Sequence, residues 1–74
     1  MFLNIVDKIR IGNNISVSVS GTHDRLKNGV IIRDENNNEF VVLSVAMVEN
    51  NGKLSDETTM LVKGINEIGT KVYI

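Results

Sequence analysis

The sequence predicts an all-β fold: one small, closed or nearly closed antiparallel barrel of about six strands. Three observations carry that expectation. Short apolar runs recur at spacings of roughly ten residues with polar turns between them. The chain holds six Gly and no Pro, so turns are supplied without a residue that would break a ladder. The stretch Ile15-Ser16-Val17-Ser18-Val19-Ser20 alternates strictly between β-branched and hydroxyl side chains. A helix would smear that pattern around its circumference, whereas a strand sorts it into one dry face and one wet face.

Residues 2–11 read two ways. Phe2, Ile5, Val6 and Ile9 fit a helical stripe, whereas Ile5, Ile9 and Ile11 fit a strand broken by Asp7. Branched residues weaken the helix and nothing caps its start, so a strand over Val6 to Ile11 is the expectation. Gly12-Asn13-Asn14 is turn chemistry that leads into the alternating strand. Gly21 to Gly29 is the longest polar connection, followed by a short strand Val30-Ile31-Ile32 and a hairpin connection Asp34 to Glu39.

The most apolar stretch is Glu39 to Val48. Its alternation sends Phe40, Val42, Ala46 and Val48 one way and Val41, Leu43, Val45 and Met47 the other, so a strand oily on both faces is expected in the middle of the fold. A polar connection from Glu49 to Asp56 comes next, then a strand Thr58 to Lys63 ended by Gly64. Ile65 to Gly69 turns the chain into Thr70-Lys71-Val72-Tyr73-Ile74. That last run would be a sticky exposed edge unless it paired, which favours closure.

Residues 1–74 make one domain. A chain of this length buries only about 60% of the surface its unfolded form exposes, and small-molecule pockets usually occupy roughly 300–1,000 Å³. A deep catalytic pocket is therefore not expected, and neither is a cofactor. Lys+Arg number 8 against Asp+Glu 9, with both signs scattered, so the basic excess of a typical nucleic-acid binder is missing. With no Cys there is no disulfide framework or thiolate metal site, which fits a reducing compartment. No apolar run reaches the length of a membrane helix, and Asp7 interrupts an N-terminus without a basic region, so a cytoplasmic protein is expected.

Candidate sites are few. His23, the single histidine, stands beside Asp24, but neighbours in a chain seldom aim at each other and no Ser or Cys nucleophile sits in a motif. Asp34-x-Asn36-x-Asn38 matches the opening of a calcium loop, yet Glu39 stands where Gly is needed and Val45 where the bidentate Glu belongs. The cluster reads instead as Asx side chains bonding their own backbone. Arg25, Lys27 and Arg33, with Lys53 or Lys63, form a candidate basic patch that Asp24, Asp34 and Glu35 would neutralise. Thr22, His23, Arg25, Lys27 and Arg33 are the candidate partner-binding loop, since loops on a rigid scaffold carry recognition.

Ser20-Gly21 followed by a polar loop and Gly29, the central run Phe40 to Val48, and Met60-Leu61-Val62-Lys63-Gly64-Ile65 followed by Ile68-Gly69-Thr70-Lys71-Val72 together resemble the second domain of translation factors such as elongation factor Tu, a small β-barrel. The basic string that family carries between its two glycines is replaced by Thr22 to Asn28, the Gly-Asp step after it is absent, and this chain holds no GTPase domain. The resemblance implies a fold and, through it, a role beside tRNA or the ribosome; no ligand-binding residue carries over. Three expectations follow: a non-enzymatic module that binds a protein through loops or an edge strand, an RNA-binding module, or a self-associating homo-oligomer.

Overall fold

A computed structural model describes the backbone of residues 2–21, 25–50 and 53–74, and the side chains of these except 47–50 and 53–56. Six strands are present: β1 (Phe2–Ile11), β2 (Asn14–Ser20), β3 (Ile31–Arg33), β4 (Glu39–Asn50), β5 (Lys53–Lys63) and β6 (Lys71–Tyr73). They close into an antiparallel barrel in the order β1-β2-β5-β4-β3-β6, with no helix among the described residues. Closure depends on β6. It pairs Tyr73 with Phe2 on one side and with Arg33 on the other, so the terminal edge that the sequence flags is consumed inside the wall.

The alternation of β2 is realised as written. Ile15, Val17 and Val19 are buried while the intervening serines look outward, where Ser18 shares a 3.0 Å hydroxyl contact with Thr59 of β5. Gly12 alone takes a positive φ (62°) in the two-residue connection between Ile11 and Asn14, the placement a type II′ hairpin requires. Leu3, Ile32, Phe40, Val42, Met60, Val62, Ile68 and Val72 complete the lining, and Leu26 from the β2–β3 loop joins the same cluster. Phe40 is the largest fully buried side chain. A Cβ on Gly64 would overlap its ring, so the glycine after β5 is what lets the ring lie against the backbone.

Four expectations change. Residues 2–11 are strand throughout, and register explains the ambiguity: pairing steps from Ile5↔Val19 to Asp7↔Ser18, so Val6 is an extra residue at a β-bulge. Asp7 supports the bulge by accepting the N–H of Lys8 at 2.9 Å. A second bulge inserts Leu43 between the pairs Val42↔Val62 and Ser44↔Leu61. It reverses the phase of β4, so Val45 opposes Met60 and packs on the core beside Phe40 and Val42, while Val41 and Leu43 stay outside. The strand lies between two neighbours as expected, but only one of its faces is dry.

The expected connection Glu49 to Asp56 is instead strand on both sides, with Asn50 paired to Lys53. β2 stops at Ser20↔Glu57, so beyond that point β4 and β5 continue as a two-stranded arm. Ladder bonds belong to the backbone, so a polar sequence does not prevent them. β3 shifts by one residue, Ile31–Arg33 replacing Val30–Ile32, and β6 is one residue shorter at each end, Lys71–Tyr73 replacing Thr70–Ile74.

Candidate functional site

Strand direction divides the connections between two ends of the barrel. The β1–β2, β3–β4 and β5–β6 connections share one end; the β2–β3 loop and the tip of the β4–β5 arm share the other. Of the sequence-derived loop residues, Thr22 and His23, with Asp24, lie outside the described residues, as does the side chain of Lys53. Arg25 and Lys27 are exposed on either side of buried Leu26. The loop rejoins the wall through Gly29 N–H on the Val42 carbonyl (2.6 Å) and Val42 N–H on the Val30 carbonyl (2.8 Å).

Arg33 is not part of that cluster. It lies at the far end of β3, where its guanidinium bonds Glu39 directly opposite (2.7 and 3.2 Å). Both partners are more than half exposed, so the pair contributes under about 1 kcal/mol. Asp34 and Glu35, expected to neutralise the basic patch, are engaged elsewhere.

Asp34 is buried (3% exposed), and its carboxylate accepts four N–H groups: the backbone of Asn36 and Asn38 on Oδ1, and the Asn38 amide and Gly69 N–H on Oδ2, all at 2.9–3.2 Å. Three of these are the local Asx bonding expected from the sequence, and the fourth ties the β3–β4 hairpin to the β5–β6 connection. Glu35 adds a second tie, accepting Thr70 N–H (2.8 and 2.9 Å) and the Thr70 hydroxyl (2.6 Å). The hydroxyl bond first, and the backbone bond second, lower its pKa from 4.5 to about 2. A Cβ on Gly69 would collide with this carboxylate, so the glycine there permits the approach. Among the described residues no three His, Cys, Asp or Glu side chains converge as metal ligands.

The β1 bulge produces a feature that the sequence reading missed. Beyond it, Lys8 opposes Val17 and Arg10 opposes Ile15, which sets both cations on the face of the sheet that carries the core. Each reaches over the rim to the β5–β6 connection. Lys8 Nζ donates to the carbonyls of Ile68 (2.6 Å) and Gly69 (3.2 Å), and Arg10 to those of Asn66 (2.7 Å), Gly64 (3.3 Å) and Gly12 (3.4 Å). Between β1 and that connection lies an open cleft of ≈ 150 Å³ lined by Lys8, Arg10, Ile15, Glu67 and Ile68. The only sequence signal was Asp7, the polar break at which the alternation changes phase.

The outer wall carries the other feature. Phe2 and Tyr73 stand side by side on β1 and β6, ring centroids 5.7 Å apart, with Lys71 Nζ 4.9 Å from the Phe2 ring centre. Ile31, directly opposite Val41, adds the outward aliphatics of β3 and β4, with Leu43 beyond. β3 and β6 share the single pair Arg33↔Tyr73, so the wall opens below it into a depression of ≈ 360 Å³ lined by Ile31, Arg33, Glu39, Tyr73 and Ile74. Among the described residues no helix is long and apolar enough to cross a membrane.

No family model, no curated protein and no solved structure matches this chain. Its function is therefore read from its own surface.

Proposed function

We propose that this barrel is a non-enzymatic module that binds another protein through the outer wall formed by Phe2, Ile31, Val41, Leu43 and Tyr73, beside the place where β3 and β6 part. One observation carries the reading: of three aromatic residues in the chain, only Phe40 packs the core, while Phe2 and Tyr73 stand adjacent and 45% and 40% exposed. Leaving such area in water is unfavourable for a small domain, and aromatic and apolar centres rimmed by charge are the usual anatomy of interfaces. Arg33, Glu39, Lys63 and Lys71 supply that rim, and exposed Arg25 and Lys27 offer a separate contact surface. The absence of cysteine is consistent with a working place in the cytoplasm.

A second reading, an RNA-binding module akin to the barrel domain of translation factors, is favoured by the cation over the Phe2 ring, since basic groups beside exposed rings suit unpaired bases. The two readings separate in one experiment. Immobilised wild-type protein and the Ile31→Asp/Val41→Asp variant are compared in native lysate, and the bound fraction is analysed for protein and RNA. Protein retained by wild type and lost by the variant supports the leading reading. Retention of RNA that Phe2→Ala abolishes would replace it, and equal retention by both forms, or a metabolite turned over by the purified chain, would end it.

A further inference from the structure

We propose that the cleft between β1 and the β5–β6 connection binds a carboxylate carried on a small apolar body, at a site independent of the outer wall. The chemistry of the lining selects the ligand. Lys8 and Arg10 face the cleft from one strand, and among the described residues neither forms an ion pair; every acceptor they touch is a neutral backbone carbonyl. Those contacts fix both side chains in place without cancelling their charge. An ammonium carries three N–H donors and a guanidinium five, so one donor on Lys8 and two on Arg10 remain after the carbonyl bonds.

Beneath the cations the floor is apolar. Ile15 and Ile68 belong to the buried core, so a ligand seated on them places its anionic group next to a poorly hydrated surface, where charge-assisted bonds are stronger. Glu67 is the one carboxylate in the lining, which leaves the site with a net single positive charge. That balance favours a singly charged acid over a phosphate.

Size narrows the choice further. An apolar cavity of about 150 Å³ accepts benzene, and this cleft has ≈ 150 Å³. A nucleotide or common cofactor needs roughly twice that or more. The shared chemistry is thus one carboxylate on an apolar group of about benzene size, available from a free short acid or from the C-terminal residue of a polypeptide with an apolar side chain.

Amide NMR titration of the intact chain tests this with four probes: benzoate, its neutral counterpart benzamide, acetyl-Ala-Leu with a free C-terminus, and the same peptide amidated. Both carboxylates are expected to shift the amides of Lys8, Arg10, Ile15 and Ile68, and both neutral compounds to leave them still. Benzoate binding at least as tightly as the peptide acid assigns a free acid, and a peptide acid at least tenfold tighter assigns a chain terminus. Arg10→Met is expected to weaken binding about tenfold or more through loss of charge-assisted bonds. Glu67→Gln, an exposed position whose change leaves the fold intact, is expected to tighten it several-fold by removing like charge. Absence of shifts at about ten millimolar carboxylate, equal shifts with benzamide, or affinity unmoved by Glu67→Gln would overturn the proposal.

Discussion

The two halves of the barrel wall are held by different means. β1, β2, β5 and β4 are long strands joined by extended ladders, six to eight paired positions at each seam. β3 and β6 have three residues each and share one pair. In the first half the backbone does the joining. In the second, short three-position ladders to β4 and β1 are reinforced by side chains: Asp34 and Glu35 carry the β3–β4 hairpin to Gly69 and Thr70, and Lys8 and Arg10 carry β1 across to the same connection. A ladder draws on groups every residue has, so almost any sequence serves. A side-chain strap needs one residue at one place, and the short half is accordingly the part that single substitutions can open.

The largest expected effect probes what both halves share. Phe40→Ala removes the biggest buried side chain and should lower the unfolding free energy by about 3–5 kcal/mol, measured by urea titration. Asp34→Ala comes next at about 3 kcal/mol, because it strands four N–H groups that share one carboxylate. Its signature should be local as well: hydrogen exchange at Gly69 and Asn38 accelerates more than at Val17. Uniform acceleration would show that the two halves do not differ in the way the bonds suggest.

Glu35 sharpens the contrast through pH. A carboxyl with a pKa near 2 in the folded chain and 4.5 otherwise binds fewer protons when folded. Its contribution is therefore complete above pH 4.5 and is lost as pH falls toward 2. The urea midpoint should decline across that window, and Glu35→Gln should flatten the decline. A variant that declines as steeply as wild type would remove Glu35 from the account. The smallest effect belongs to the outer wall: Ile31→Asp, at a position 58% exposed, should change stability by no more than about 0.5 kcal/mol while abolishing protein retention.

Much of the fold was legible in the sequence. The serine and β-branched alternation of β2, the polar turns and the need to pair the Val72–Ile74 edge led to six strands and a closed wall. The bulges were not legible, because one extra residue costs no apolar pattern and yet inverts every side chain after it. That is why Ile9 and Ile11, read with Ile5 as one face, stand outside, and why Lys8 and Arg10 came over the core unannounced. The β4–β5 arm was read as a loop because Glu49 to Asp56 is mostly polar and holds Asn50-Asn51-Gly52, a run of turn-forming residues. Asp34 was placed correctly in a turn, but its bond to Gly69 joins residues far apart in the chain and left no local trace.

The pairing of Phe2 with Tyr73 has a kinetic corollary. Ring closure joins opposite extremes of the described chain, so its entropy is lost before the last seam yields any return, and such topologies fold in roughly milliseconds to seconds. Until then Val72 and Leu3 stand open to other molecules. Dilute refolding should outpace clumping, and crowded refolding should not.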